Sequence, residues 1–203
     1  MTDLCHALSL PLTQTGHFDM LLTVKAYDII FDEAIGYYGL FRSSQAKSLG
    51  ISSSAILSLA KRGRLTRVAY GLYRIDKYVP QPDGLDAYAI AVARIGEDAY
   101  LWGPSVLQAH RLCPTDPAKI YVATPARFRG TIPEGIILKG RVKASEISFV
   151  GGIRAQSVGK AIVSSQHILM FNRLLDAVDA AKSQGLLSEQ EAHNTLKELY
   201  KND

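Results

Sequence analysis

The chain has no apolar run approaching the ~20 residues that a membrane-spanning helix requires. No basic stretch precedes Leu8-Ser9-Leu10-Pro11-Leu12 and no cleavage site follows it, so a secretory leader is not expected. Cysteine is scarce. Cys5 and Cys113 stand far apart with no metal-ligand spacing, which fits reduced thiols and a cytoplasmic protein. The five histidines (His6, His17, His110, His167, His193) lack the H-x-x-x-H spacing of a zinc site. A phosphate-binding loop is missing as well. Gly159-Lys160 would need a glycine at Arg154 and a hydroxyl at Ala161. No Asp/Glu/His set clusters in the sequence, and there is no internal repeat. These absences predict a protein that is not an enzyme and takes no cofactor and no metal. His110 reads as a structural side chain on an amphipathic helix, and Cys113 before Pro114 as a buried small hydrophobe. Ser43-Ser44 and Ser164-Ser165 read as caps at helix starts, and Tyr100 and Trp102 as core.

What is present is 203 residues of 47% hydrophobic composition, enough for one large domain or two small ones. Val79-Pro80-Gln81-Pro82-Asp83-Gly84 has the composition of a linker over 79–84. Residues 1–23, with Pro11, Gly16 and weak periodicity, read as an arm, either loose or holding a first short helix. Val24, Tyr27, Ile30, Phe31 and Ala34 fall on one face and predict a first helix from Val24 to Ile35. The domain expected over 24–78 is organised around Leu40 to Ile75. There Ser43 and Ser44 precede a short helix, about Gln45 to Leu49, stopped by Gly50. Ser52 or Ser53 then caps a second helix running to about Arg62, with Ile56, Leu59 and Ala60 inward and Ser53, Ser54, Ser58 and Lys61 outward. Leu65 to Val68 and Leu72 to Ile75 alternate around Ala69-Tyr70-Gly71, as two strands of a hairpin do. The pattern predicts a winged helix-turn-helix.

Charge supports this independently. From Arg42 to Lys77 the bases are Arg42, Lys47, Lys61, Arg62, Arg64, Arg67, Arg74 and Lys77, against Asp76 alone. That segment carries +7 in a chain of +4, leaving −3 elsewhere. A cationic small element on a mildly acidic remainder suits contact with the phosphates of double-stranded DNA. The candidate DNA-binding residues are Ser43, Ser44, Gln45, Ser53, Ser54, Ser58, Lys61, Arg62, Arg64, Arg67, Tyr70 and Arg74. The bland alternative is a solvated helix-turn-helix that serves only for packing.

Residues 85–203 predict a mixed α/β second domain, so the expected class is α+β. Leu85 to Ile95 reads as a helix, and Pro104 opens another running to about Leu112. Strands are expected at Lys119–Thr124, Ile136–Val142 and Ile147–Val150, with a weaker one from Ile153. A long helix over about 159–183, open to a break near Ser164-Ser165, precedes a last helix opened by the capping box Ser188-x-x-Glu191. A second basic cluster, Arg127, Arg129, Lys139, Arg141 and Lys143, has only Glu134 within it. Lys139, Arg141 and Lys143 would share a strand face, since side chains repeat every two residues. Such a face would extend a DNA footprint or receive an acidic partner, or else be the solvated outer side of an antiparallel sheet.

Several of these motifs together resemble a known family. Gly39-Leu40-Phe41, Gln45-Ala46, Leu49-Gly50-Ile51-Ser52, Arg62-Gly63-Arg64-Leu65-Thr66-Arg67-Val68 and Gly71-Leu72-Tyr73 are similar to the N-terminal domain of AbiEi-type antitoxins of type IV toxin–antitoxin systems. At the wing tip the family often has Arg-Gly, where this chain has Tyr70-Gly71. Farther on, Trp102 to Leu112 is similar to the family's S-x-x-S-A-L-x-x-H-G-L segment, with Arg111 where Gly is usual. Gly152 to Ser157 resembles its G-[IV]-x-V-x-[ST] element. The resemblance implies an antitoxin that binds operator repeats upstream of its own operon and represses it, while countering a nucleotidyltransferase-type toxin. Two other readings stand beside it: a winged-helix transcription regulator whose second domain senses a small molecule and has no toxin partner, and an enzyme targeted by a winged helix.

Overall fold

The computed structural model describes residues 13–114, 118–140 and 146–201, with side chains from residue 24 onward. The chain divides into two compact units, Met1–Val79 and Pro80–Asp203.

The first unit opens with helix α1 (Thr13–Ile35), followed by strand β1 (Leu40–Arg42), helices α2 (Ser43–Ala46) and α3 (Ser53–Lys61), and strands β2 (Leu65–Ala69) and β3 (Leu72–Ile75). Helix α1 begins at Thr13 rather than Val24, so the arm expected over 1–23 is helical from Thr13. No proline lies between Pro11 and Pro80 to interrupt it, and one helical glycine, Gly16, costs only about 1 kcal/mol. Its buried stripe is Ala26, Tyr27, Ile30 and Ala34, whereas Val24 is 51% exposed. The expected stripe therefore holds at Tyr27, Ile30 and Ala34, with Ala26 buried in place of Val24. The three strands run antiparallel in the order β1-β3-β2. β1, unforeseen as a strand, pairs Phe41 with Tyr73 and Arg42 with Leu72. Phe41, Leu65, Leu72 and Ile75, all nearly inaccessible, join Ile56 and Leu59 of α3 in one core.

The second unit is a mixed five-stranded sheet with helices. Its elements are α4 (Asp86–Ile95), β4 (Tyr100–Leu101), α5 (Pro104–Ala109), β5 (Ile120–Thr124), β6 (Ile136–Gly140), β7 (Ile147–Val150), β8 (Ile153–Gln156), α6 (Val158–Ser164), α7 (Phe171–Ser183) and α8 (Glu189–Lys201). The strand order is β6-β5-β4-β8-β7. β4 runs antiparallel to β5 and parallel to β8, and β6 is parallel to β5. Together with the first unit this is an α+β chain.

The break left open near Ser164-Ser165 does occur: 159–183 holds two helices, α6 and α7, separated at 165–170. Ser164 and Ser165 therefore close a helix instead of opening one. Ser165 is fully buried and its hydroxyl donates to the Ala161 carbonyl at 2.7 Å, a bond back to the preceding turn. Ser164 Oγ instead accepts from the Gln156 amide at 2.9 Å. Finally, β6 runs parallel to β5 over Ile136–Gly140, so it is not the strand of an antiparallel sheet that stood as one alternative; Arg141 and Val142 of the expected strand lie outside the described residues. The Ser188–Glu191 capping box does form: the Ser188 N–H donates to Glu191 Oε2 at 2.8 Å, and the Glu191 N–H to Ser188 Oγ at 3.3 Å. Among the described residues no helix is long and apolar enough to cross a membrane.

Candidate nucleic-acid interface

Helix α3 starts where Ser52 leaves the extended conformation and its Oγ accepts from the Ala55 N–H at 3.2 Å, satisfying a donor the first turn leaves free. At 100° per residue, Ile56 and Leu59 point into the core while Ser53, Leu57, Lys61 and Ser54 follow one another around the outer face. Ser58 lies at the margin of that face and is half-buried. Leu57 was missed by the sequence reading, which gave the outer face to hydroxyls and Lys61. It is 56% exposed near the centre of that face. The helical spacing alone would have found it.

Helix α2 is shorter than expected and is capped differently. Arg42, not Ser43 or Ser44, is the capping residue, and its backbone N–H donates to the Gln45 side chain at 3.0 Å. The serines are already in helical positions, so their hydroxyls are not the cap. Gln45 spends its carbonyl oxygen on this bond. Ser43, Ser44 and Gln45 are all exposed.

The wing is β2, β3 and the turn at Tyr70-Gly71, with a bulge between Arg67 and Ala69. Gly71 sits at φ +65°, and a Cβ there would come within 2.9 Å of Ser43 Oγ. Its carbonyl accepts from the Ser43 N–H at 2.8 Å, which ties the wing turn to the first residue of α2. Glycine meets the positive φ without strain and leaves Ser43 Oγ in place, which is the physical content of the Gly71-Leu72-Tyr73 motif. At the tip Tyr70 is 94% exposed. The Arg67 guanidinium lies 5.6 Å from the Tyr70 ring centre and its Nε donates to the Ala69 carbonyl at 3.3 Å.

The cations divide into two groups. Lys61, Arg62 and Arg67 are exposed, as is Lys47 after α2. Arg64 and Arg74 are half-buried and engaged within the unit. Arg64 pairs with Asp76 at 3.1 Å and lies 4.1 Å from the Tyr27 ring centre. Arg74 stacks 4.9 Å from the Tyr78 ring centre. The sequence counts all of them in the cationic segment and offers Lys61, Arg62, Arg64, Arg67 and Arg74, though not Lys47, as candidate DNA contacts.

Of the second basic cluster, Arg127, Arg129 and Lys139 lie within the described residues. Arg127 and Arg129 are exposed in the loop after β5, off any strand. Lys139 lies in β6 with its ammonium 4.8 Å from the Trp102 ring centre. Arg141 and Lys143 fall outside the described residues, as does Cys5. Burial pushes the Cys113 thiol pKa up, and it lowers that of the His110 imidazole. Among the described residues no three His, Cys, Asp or Glu side chains gather where they could hold a metal ion.

A three-helix, three-strand unit with a largely polar outer face on its third helix, α3, and a hairpin beside it defines a winged helix-turn-helix. Residues 28–75 match the family model described as a transcriptional regulator, AbiEi antitoxin. The match ends at the last residue of β3 and confirms, over that stretch, the resemblance carried by the motifs. No curated protein matches the chain.

Proposed function

We propose that the chain is a sequence-specific DNA-binding regulator: the antitoxin and autorepressor of a type IV toxin–antitoxin operon, countering a nucleotidyltransferase-type toxin. The outer face of α3 carries this reading. Ser53, Ser54, Leu57 and Lys61 stand clear of the core on the helix that such a motif inserts in the major groove. Exposed Lys47, Arg62 and Arg67 would meet the phosphates on either side, where contacts position the protein without reading sequence. The family match to a transcriptional regulator points the same way.

The DNA half is tested by a mobility shift on the region upstream of the chain's own gene. Wild type should retain it, and Ser54→Glu should abolish retention by setting a carboxylate against phosphate. Equal affinity of the two would remove α3 from the interface. The toxin half is tested by expressing a neighbouring nucleotidyltransferase with and without this chain. Growth arrest relieved by the chain supports it, and arrest unaffected overturns it.

A second reading, a ligand-sensing regulator without a toxin, is favoured by one feature. A cleft of about 400 Å³ in the second unit is lined by His110, Ser157, Lys160, Asn194 and Glu198, among others. The buried His110 Nε2 meets no partner among the described residues, while Lys160 is held by Glu198 at 2.9 Å. A metabolite that raises the melting temperature of wild type but not of His110→Ala, and releases DNA, would establish it.

A further inference from the structure

Leu57 is the apolar member of an otherwise polar helix face. It lies about 40° around the helix from Ser53 and about 40° from Lys61, at 100° per residue. Its side chain is 56% exposed in a unit that buries Ile56 and Leu59 on either side of it in sequence. Leucine there adds nothing to the core and has no hydrogen-bonding atom to offer a phosphate. The neighbouring groups are two hydroxyls and an ammonium, and hydroxyls discriminate poorly among bases. On base edges in the major groove, the apolar feature is the thymine 5-methyl group. Exposed cations flank this face, Lys61 on α3 itself and Arg62 just after it, so an anionic polymer is the occupant that complements its charge.

We propose that Leu57 is a specificity-determining residue that reads the 5-methyl group of thymine in the operator, so that the site preferred by this chain contains thymine opposite the middle of α3. This rests on the DNA-binding reading above and adds which base feature the helix selects. Ser53 and Ser54, closer to the helix start, would supply adaptable hydrogen bonds around a fixed apolar contact. Burying one methyl is worth about 0.8 kcal/mol, which is roughly four-fold in affinity.

The test uses the full-length chain and duplexes that wild type retains from a random library. Each duplex is prepared with thymidine and again with deoxyuridine, which differs by that methyl alone. Wild type should bind the uracil duplex roughly four-fold more weakly for each methyl contacted. Leu57→Ala should bind the thymine duplex with the same loss and be indifferent to the replacement, with an unchanged melting temperature. Equal loss in both proteins would place the methyl contact on another residue and overturn the assignment. No loss in wild type would overturn it too, and a change in self-association of Leu57→Ala would then mark Leu57 as a contact between copies. If wild type retains no duplex from the library, the DNA-binding reading itself fails and takes this assignment with it. That outcome is read before Leu57→Ala is made.

Discussion

The guanidinium of Arg64 lies 3.1 Å from the carboxylate of Asp76, and the hydroxyl of Tyr27 donates to the same carboxylate. Three parts of the winged-helix unit meet there: α1 through Tyr27, the bend before β2 through Arg64, and the turn after β3 through Asp76. The guanidinium also covers the Tyr27 ring at 4.1 Å. Arg64 is therefore a fastening of the unit, while Arg67, three residues on, is exposed beside the wing tip.

The two arginines should separate in experiment. Arg64→Ala should lower the melting temperature by a few degrees, since a partly exposed ion pair contributes about 1 kcal/mol or less. Its effect on the salt dependence of DNA binding should be small. Arg67→Ala should leave melting unchanged and flatten the log–log salt slope by about one unit, on specific and random DNA alike. Equal slopes for wild type and Arg67→Ala would exclude a phosphate contact at this residue.

Gly39 offers a contrast with Gly50. Both have positive φ, but a Cβ on Gly39 would stand 2.5 Å from the Tyr78 ring base, while one on Gly50 meets nothing within 4 Å. Gly50→Ala should cost roughly 0.5–1 kcal/mol, the penalty of a Cβ in the left-handed region less the freedom that glycine leaves the unfolded chain. Gly39→Ala should cost about 1–3 kcal/mol more, because Tyr78 must move out of its place under Arg74. Denaturant melts of the two variants check this, and equal midpoints would show that Tyr78 yields freely.

How far the sequence discloses this site follows from what each signal measures. Periodicity and glycine placement located α3, the hairpin and the turn between α2 and α3, because those signals are local and the structure obeys them. The start of helix α1 is not legible, because its first residues show weak amphipathic patterning and Gly16 argues against a helix. The pairing of β1 with β3 is a long-range fact, and three residues of strand carry no period. Charge counting gathered Arg64 with Arg62 and Arg67, yet counting does not see that Asp76 and Tyr27 lie beside Arg64 in space. The place of Leu57 is legible from its angular position alone, but an apolar side chain carries no signal when a DNA-facing surface is recognised by its polar groups.

Tyr27 should give the unit a signature at alkaline pH. Burial first, then its bond to Asp76 and the charge there, push its hydroxyl pKa up to about 12, and nearby Arg64 offsets part of that rise. A folded pKa above the ordinary 10 favours the neutral form in the folded state. The stabilisation is fully present below pH 10 and is lost as pH rises toward 12. The stability difference between wild type and Tyr27→Phe should therefore shrink across that window. A difference constant from pH 8 to 11.5 would mean that the hydroxyl ionises alike in both states.

Arg111 is the residue at which this chain departs from the glycine expected by resemblance, and the backbone shows what that glycine would do. Helix α5 ends at Ala109 with His110 as its cap, and Arg111 then takes φ +57°. The Leu112 N–H closes the helix end on the Leu107 carbonyl at 2.8 Å, and the Arg111 N–H bonds Gln108 at 2.9 Å. This is the helix terminator in which glycine is favoured, because a Cβ in the left-handed region costs about 1–2 kcal/mol. The Arg111 side chain is exposed, so its removal forfeits little packing. Glycine gives back part of the gain through the freedom it restores to the unfolded chain, about 0.5–1 kcal/mol. Arg111→Gly should thus stabilise the second unit by roughly 0.5–1 kcal/mol, whereas Arg111→Ala, which keeps the Cβ, should not. Thermal melts of the two variants beside wild type decide it. A rise with alanine equal to that with glycine would trace the effect to the lost charge and not to the backbone.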